Sequence, residues 1–347
     1  MVEIIRKGTV WQKRDLCFVK GSPLFGYIAF GVIDRGTNVL QVRPTTLCPL
    51  NCVFCSVDAG PHSRTRWAEF IVDKDSIAEA VAVIARYKGG SVEALIDTVG
   101  DAFTYPWLIE LVRELKSMPY IRSVAVETHG ELLSQKIIVE LDKAGLDRIN
   151  LSLDTLDPEK AVFLQGVKWY NVKTVIGLAE FIVKNTNIDL HVTPVWIPGV
   201  NDEDVKEVVK WAYRIGAGKK WPPATIQKYN VHKYGRKVPG AKVLSWRDFW
   251  LKLKDLEKEL VLRLTWSMEE WGMRRAPRYP CPYRRGDRLC ARVLSKGIFK
   301  GEYVAEALNR PWLLALRSRG VRIGDIVAVE IIEDQDSLLI GRIIGYC

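Results

Sequence analysis

From Val42 onward the chain alternates short apolar runs with longer stretches in which apolar residues recur every three or four positions. Short runs are typical of buried strands and the longer stretches of amphipathic helices, which predicts consecutive βα units. Six strands are expected, at residues 42–43, 94–99, 123–127, 148–153, 189–194 and 224–229. Helices are expected at residues 75–86, 107–117, 134–144, 171–184, 202–215 and 245–259. The predicted fold class is α/β, a partial (β/α)6 barrel with its active site on the loops after the strands.

The pattern differs on both sides of this region. Residues 1–40 hold three strand-like runs separated by turn residues, which predicts a small N-terminal β-meander. Residues 274–289 are rich in Arg and Pro and lack periodicity, as a linker would. Residues 290–347 hold five closely spaced strand candidates, at 291–294, 302–307, 312–316, 325–332 and 338–344. Four parts are therefore expected: a meander, a main domain over 41–273, the linker and a small all-β barrel.

Charge and hydropathy narrow the class of protein. The 347 residues include 51 Lys and Arg against 41 Asp and Glu, a net charge of +10 that favours a polyanionic partner such as nucleic acid. The alternative is a surface of ion-pair networks of the kind that thermophile proteins carry. No apolar stretch approaches the roughly 18 residues of a membrane span, and the first residues lack an apolar signal core. A cytoplasmic protein without a membrane partner is expected.

Three of the seven cysteines lie within eight residues, which is not how a disulfide framework is laid out. Cys48, Cys52 and Cys55 follow the first predicted strand closely enough to surround one metal centre. Catalytic metal sites usually keep one coordination position open, and three protein ligands leave one. The alternatives are a zinc site completed by a distant ligand, and buried cysteines without metal.

The Cys48-x3-Cys52-x2-Cys55 pattern, with Phe54 before the third cysteine, resembles the radical S-adenosylmethionine (SAM) superfamily over about residues 40–235. The resemblance implies a [4Fe–4S] cluster held by the three cysteines. It further implies SAM bound to the fourth iron, and cleavage of SAM to a 5′-deoxyadenosyl radical. An electron donor such as ferredoxin is then a partner.

Further motifs resemble the family's nucleotide-binding positions. Residues 98–106 resemble its Gly-Gly-Glu-Pro motif, which assigns the methionine amino group to Gly100 and Asp101, although Val99 replaces the first Gly and Asp101 the usual Glu. Ser152 and Asp154, at the end of the fourth predicted strand, match its ribose or carboxylate contacts. The alternatives are an ordinary turn and helix caps.

Two more strand ends carry candidates. Residues 195–202 resemble the family's Pro-Gly-x-Asn-Asp turn, which places Asn201 near the adenine or, alternatively, at a helix cap. Glu127 and His129 end the third predicted strand, where they are candidates for contact with nucleotide or substrate and hence for catalysis. A structural histidine is the alternative.

Cys281 is the third catalytic candidate, because Pro280, Pro282 and several arginines surround it and nearby cations favour a thiolate. A second Fe–S cluster that uses Cys281, Cys290, Cys17 or Cys347 is left open. Burial without function is the default for each of these thiols.

The last 58 residues resemble the TRAM β-barrel that is attached to RNA-modifying enzymes. Its expected RNA-binding side chains are Arg292, Lys296, Lys300, Arg310, Trp312, Arg317 and Arg319. We therefore expect a radical SAM enzyme that modifies RNA. The expected substrate is tRNA, and rRNA is an alternative closer to this expectation than the rivals that follow. The rivals are a radical SAM enzyme for a small molecule, cofactor precursor or lipid, with the barrel serving dimerisation or packing, and a non-catalytic RNA-binding Fe–S protein. The oligomeric state is left open.

Overall fold

The computed structural model describes residues 1–318 and 320–347. The strands are β1 (Val2–Val10), β2 (Arg14–Gly21), β3 (Gly31–Asp34), β4 (Val39–Arg43), β5 (Ala68–Val72), β6 (Val92–Ile96), β7 (Ile121–Thr128), β8 (Arg148–Leu151), β9 (Asp189–Val192), β10 (Val195–Trp196), β11 (Gln227–Lys228), β12 (Arg288–Lys296), β13 (Glu302–Ala307), β14 (Leu313–Arg317), β15 (Ile326–Glu333) and β16 (Ile340–Tyr346). The helices are α1 (Lys74–Tyr87), α2 (Leu108–Ser117), α3 (Gln135–Ala144), α4 (Pro158–Gln165), α5 (Val172–Asn185), α6 (Asp202–Ile215) and α7 (Trp246–Leu260).

The chain divides into two compact units. The first comprises Met1–Cys48, Pro61–Ser123 and Arg275–Cys347, and the second comprises Pro49–Gly60 and Val124–Arg274. The main sheet has the strand order β3-β4-β6-β7-β8-β9, and β7 begins in the first unit and ends in the second. β4 pairs in parallel with β6, and β8 pairs in parallel with both β7 and β9, whereas β3 pairs antiparallel with β4. The mixed α/β architecture with a parallel sheet is thus confirmed.

The predicted sixth barrel strand forms only in part. Residues 224–229 run beside β9 and β10, but their regular pairing is limited to β11, which pairs in parallel with β10. A single bridge joins Ala224 to Val192. Pro194, between β9 and β10, has no N–H to donate, and proline interrupts a ladder for that reason. The sixth member of the main sheet is therefore β3, which the hydrophobic pattern assigned to the N-terminal meander.

The meander itself has two strands rather than three. β1 pairs antiparallel with β2, and the third strand of that sheet is β5, which runs parallel to β2 and which the hydrophobic pattern missed. The six predicted helices are present within two residues of the expected bounds. α4 was missed because its apolar residues, 161–164, are consecutive rather than spaced at helical intervals. Asp157 caps its start and Gly166 ends it in the left-handed region.

The C-terminal barrel is closed and lies within the first unit. Its strand order is β12-β13-β14-β16-β15, which confirms the five predicted strands. Side chains of β12 alternate between exposed and buried, as in a small barrel filled by its own residues. The Tyr27 hydroxyl donates to Glu302 Oε1 at 2.6 Å and accepts from the Ile298 N–H at 2.8 Å, so the barrel packs on the N-terminal part of the same unit.

Residues between α7 and the barrel make packing contacts in that unit. Tyr279 stacks on Trp312 with ring centroids 6.3 Å apart, and its N–H donates to Asp34 Oδ2 at 2.8 Å. The predicted division at residues 40, 273 and 289 stays a prediction.

Cys290 and Cys347 form a disulfide bond, so these two thiols are not available for the second cluster that the sequence left open. They lie at the start and the end of the barrel, a separation of 57 residues. Cys17 and Cys281 are free and buried. Among the residues described, no helix is both long enough and apolar enough to cross a membrane.

Candidate active site

In the second unit, the cysteine loop (residues 49–60) is held by backbone and side-chain hydrogen bonds. The N–H groups of Asn51 and Val53 donate to the carbonyls of Gln165 and Leu164 at the end of α4. The Cys52 thiol donates to Gln165 Oε1 at 2.8 Å. The Cys55 sulfur, in turn, accepts from the Ala59 N–H at 3.2 Å. Hydrogen bonds of this last kind stabilise the negative charge of a metal-bound thiolate.

Arg236 places a cation against the same loop. Its Nε lies 2.9 Å from Asp58 Oδ1, and its guanidinium also donates to the carbonyls of Cys52, at 2.9 Å, and of Ala59. The Arg236 N–H donates to the Cys55 carbonyl at 2.8 Å. Three thiolates around a cluster carry negative charge, and a cation fixed beside them lowers the electrostatic free energy of gathering that charge. This residue was not recognised in the sequence.

Asp154 lies at the centre of a buried network that reaches the cysteine loop. Its Oδ1 accepts from the Val195 N–H at 2.8 Å, and its Oδ2 accepts from Gln165 Nε2 at 3.0 Å. Gln165 therefore joins Cys52 to Asp154. Burial raises the pKa of the Asp154 carboxyl, against the opposing effect of His129 and of the two donors. No sequence signal marked Gln165, since it lies at the end of the missed helix.

Asn201 completes this network. Its Nδ2 donates to the carbonyls of Asp154, at 3.2 Å, and Val195, at 2.9 Å, while its Oδ1 accepts from the Ile197 N–H at 2.8 Å. Asn201 occupies the N-cap position of α6, as the helix-cap alternative expected, but its side chain makes no capping hydrogen bond to that helix. The residue instead fixes the backbone of the turn that follows β10.

The third and fourth strand ends carry Glu127, His129 and Ser152. Glu127 of β7 is in register with Asn150 of β8, which is in register with His191 of β9, so the three side chains share one face of the sheet. Burial lowers the pKa of His191 to about 3, which keeps its imidazole neutral. Ser152 follows β8 and is buried, and the His129 carbonyl accepts from the Tyr170 hydroxyl at 2.9 Å.

In the first unit, Gly100 and Asp101 pack against the backbone just before Cys48. A Cβ on Gly100 would lie 2.1 Å from the Leu47 carbonyl oxygen and 2.5 Å from that of Thr46, so only glycine fits. The Asp101 N–H donates to the Leu47 carbonyl at 2.8 Å. Asp101 Oδ1 accepts from the Phe103 N–H at 2.9 Å, so this carboxylate also caps a short 3₁₀ turn.

A buried ion cluster that the sequence did not reveal supports these two loops. Arg66 Nη1 donates to the Thr46 carbonyl at 2.8 Å, and its Nη2 donates to the Val99 carbonyl. Glu69 balances the charge, lying 3.0 Å from Arg66 Nη1 and 2.6 Å from Arg14 Nη1. Arg66 thereby joins the segment that leads to Cys48 with the segment that leads to Gly100.

The remaining candidate, Cys281, is buried in the first unit. Burial raises the pKa of its thiol and outweighs the lowering effects of the Tyr283 N–H and Arg284. The expected shift toward thiolate is thus wrong in direction. Among the described residues, no three potential metal ligands are already gathered around one point.

Comparison with known proteins places the chain. The family model of the Radical SAM superfamily matches residues 42–212. Uncharacterized protein MJ0103 of Methanocaldococcus jannaschii is 32% identical over 358 aligned positions, which cover 97% of this chain and 82% of that protein. GTP 3′,8-cyclase of Chlorobaculum tepidum is 27% identical over 176 positions, 51% of this chain and 50% of the cyclase. The chain thus matches about half the length of that cyclase.

Solved structures with a similar fold include TYW1 with a lysine–pyruvate adduct bound, at 20% identity and a TM-score of 0.43, with 64% of this chain and 73% of that chain covered. SuiB of Streptococcus suis bound to SAM has 18% identity and a TM-score of 0.46, with 70% and 51% covered. Residues 42–212, which the family model matches, contain the three cysteines and the strand ends described above. The chain belongs to the radical SAM superfamily, and its cofactors are the [4Fe–4S] cluster and SAM of that family.

Proposed function

We propose that this radical SAM enzyme modifies RNA, with tRNA as the substrate class, by methylation, methylthiolation or a related reaction at an unactivated carbon. The observation that carries the proposal is the closed C-terminal barrel and its charge. Residues 274–347 hold fourteen of the 51 Lys and Arg but only eight of the 41 Asp and Glu. Small barrels with a cationic surface bind the phosphates of nucleic acids.

The barrel offers fewer RNA-binding side chains than the sequence suggested. Trp312 is buried, and its Nε1 donates to the Ser337 carbonyl at 3.1 Å, so its ring is not free to stack on a base. Lys296 lies 2.8 Å from Asp15 Oδ2. Arg292, Lys300, Arg310 and Arg317 are exposed, and Arg319 lies outside the described residues. The proposal therefore rests on these four cations rather than on an aromatic platform in the barrel.

The cofactors have proposed binding residues. Cys48, Cys52 and Cys55 hold the cluster, and Gly100, Asp101, Ser152, Asp154 and Asn201 hold or position SAM. When bound, the cluster and SAM supply a 5′-deoxyadenosyl radical for hydrogen abstraction. An electron donor such as ferredoxin provides the electron. The polar Cys52–Gln165–Asp154 network and the Arg236 guanidinium fit an anionic group, which supports this assignment.

The substrate side of the site is assigned to the strand ends. Glu127, in register with Asn150 and His191, belongs to a polar face of the sheet, which supports contact with substrate there. His129 lies two residues further along, at the end of β7. Cys281 remains a catalytic candidate that would need activation, because its raised pKa keeps it a thiol.

A second candidate function is radical chemistry on a free nucleotide. It is favoured by the similarity to GTP 3′,8-cyclase of Chlorobaculum tepidum, which is 27% identical over 51% of this chain. In that case the barrel would have no role in substrate binding.

The deciding experiment is anaerobic. The protein is reconstituted with iron and sulfide and supplied with SAM and dithionite, and release of 5′-deoxyadenosine is measured with total small RNA, with GTP and with neither. A Cys52→Ala variant is the blank. Stimulation by RNA, with a mass-shifted nucleoside in the digest whose yield is lower for Arg292→Ala/Arg317→Ala, supports the proposal. Stimulation by GTP alone contradicts it.

A further inference from the structure

A long segment of the second unit contains cations but no carboxylates. Between Glu207 and Asp248 there are ten Lys and Arg and not one Asp or Glu, although the whole chain has 41 acidic residues. Asp248 itself is engaged, since the Ser245 hydroxyl donates to its Oδ2 at 2.7 Å. A block of like charge repels itself and is favoured where a partner of opposite charge binds.

The most exposed part of this segment is the basic loop (residues 228–245), which joins β11 to α7. The side chains of Lys233, Lys237 and Lys242 are exposed. None of these three forms an ion pair with any residue that the structure describes. Elsewhere in the second unit, Lys160 and Lys206 do pair, with Asp204 and Glu259. The loop therefore presents uncompensated positive charge.

Aromatic side chains adjoin these cations. Trp246 and Trp250 lie one turn apart on the same face of α7 and are 57% and 47% exposed. Lys228 Nζ lies 5.1 Å from the Trp246 ring centroid, and Lys233 Nζ lies 5.2 Å from that of Tyr234. Exposed rings interleaved with cations are what single-stranded nucleic acids bind, because bases stack on the rings while phosphates meet the charges. A second copy of this chain is disfavoured, since two such surfaces would repel each other.

The basic loop also touches the cysteine loop. The Arg236 N–H donates to the Cys55 carbonyl at 2.8 Å, and its side chain reaches Asp58 and Cys52. Gly235 lies so close that a Cβ there would be 2.8 Å from the Ser56 carbonyl oxygen. A strand bound along the basic loop would therefore pass beside the loop that carries Cys52 and Cys55.

We infer that the basic loop, together with Trp246 and Trp250, is a binding surface for single-stranded RNA. It holds an unpaired segment of the substrate beside the cysteine loop. The inference rests on the proposed function and deepens it, because it assigns a second RNA contact that is separate in sequence from the barrel.

The test measures binding to the full chain by fluorescence anisotropy. The probe is a labelled single-stranded RNA of mixed sequence, titrated at several salt concentrations. The loop variant is Lys233→Ala/Lys237→Ala/Lys242→Ala. The matched control removes three exposed lysines from helices of the same unit, as Lys136→Ala/Lys173→Ala/Lys184→Ala. The stacking variant is Trp246→Ala/Trp250→Ala, and Trp246→Phe/Trp250→Phe should restore its binding.

The loop variant should bind about tenfold more weakly. The plot of log affinity against log salt should also become shallower by about 2, because each of the three lost phosphate contacts to a single strand contributes roughly 0.7 to its steepness. The stacking variant should lose about tenfold or more in affinity with the slope unchanged. The control should match the unmodified chain. Equal affinity and slope for loop variant and control would overturn the inference.

The same titrations separate this inference from the proposed function. If Arg292→Ala/Arg317→Ala weakens RNA binding and the loop and stacking variants do not, the inference is wrong and the proposed function stands. If the loop and stacking variants weaken binding but RNA neither stimulates 5′-deoxyadenosine release nor gains mass, the binding surface stands and the proposed function fails.

Discussion

The cysteine loop and the basic loop of the second unit touch each other but are built in opposite ways. The cysteine loop is held by specific polar partners: Cys52 by Gln165, which is buried, and Asp58 by Arg236, which is partly buried. In the basic loop, Arg236 makes contacts of this kind, whereas Lys233, Lys237 and Lys242 are exposed to solvent. A loop for a cofactor of fixed shape gains from a rigid, satisfied set of partners. A surface for a flexible polyanion needs charge and rings but no fixed geometry.

The largest effect should come from Arg236→Ala, which removes the side-chain contacts between the basic loop and the cysteine loop. It removes the ion pair with Asp58, whose side chain is 5% exposed, and the guanidinium donors to the carbonyls of Cys52 and Ala59. Breaking a buried pair costs about 3 to 5 kcal/mol, and we expect about 3 because Arg236 is itself 19% exposed. Iron content after reconstitution and denaturant unfolding measure the loss. Arg236→Lys should retain part of the stability. Full iron loading of Arg236→Ala would contradict the claim that Arg236 stabilises the cysteine loop.

A smaller loss is expected for Gln165→Leu, which cuts the link between Cys52 and Asp154. The Asp154 carboxylate loses the donor at 3.0 Å, and the free energy of unfolding should fall by about 1 to 2 kcal/mol. The affinity for SAM, followed by the change that SAM causes in the EPR spectrum of the reduced cluster, should weaken more than RNA binding does. If the EPR change on SAM addition stayed the same while RNA binding weakened, Gln165 would support RNA binding rather than the cysteine loop, and this prediction would be wrong.

Asp154 should give the network a pH dependence. Because burial raises the pKa of this carboxyl above 3.8, the unfolded chain releases the proton first. The free energy of unfolding therefore falls as pH rises from 3.8 through the folded-state pKa. Asp154→Asn stays neutral and should flatten this part of the profile, as urea unfolding at a series of pH values would show. A profile identical to that of the unmodified chain would mean that Asp154 does not titrate there.

The smallest effect on stability is expected for Lys233→Ala/Lys237→Ala/Lys242→Ala. Exposed side chains without buried partners usually change the free energy of unfolding by less than about 0.5 kcal/mol. Thermal unfolding and iron content should therefore match those of the unmodified chain while RNA affinity falls. A large drop in melting temperature would show that the basic loop is structural, and the contrast between the loops would be lost.

The sequence predicted the parts of this molecule that local patterns encode. Apolar periodicity is a local property, so six of the described helices and the five barrel strands were found. The cysteine spacing and the Gly100–Asp101 turn are likewise contiguous. α4 was missed because its apolar residues are not spaced as on an amphipathic helix, and Gln165 was missed with it.

Contacts between residues far apart in the sequence were not predicted either. The pairing of β3 with β4 depends on tertiary neighbours rather than on its own pattern. The same holds for Arg236, which is 184 residues from Cys52, and for Trp312, whose burial against Phe25 no local window shows. The acid-free segment was visible in the sequence as a charge block, and its meaning became clear only when the structure placed it against the cysteine loop.

The central claim is radical SAM chemistry directed at RNA, and release of 5′-deoxyadenosine by the reconstituted protein tests it most directly. With SAM and dithionite, total small RNA should stimulate the release and acquire a mass shift in one nucleoside. Neither should occur with Cys52→Ala. Release that ignores RNA, with no change in any nucleoside, would contradict the RNA assignment and leave the radical chemistry to a small-molecule substrate.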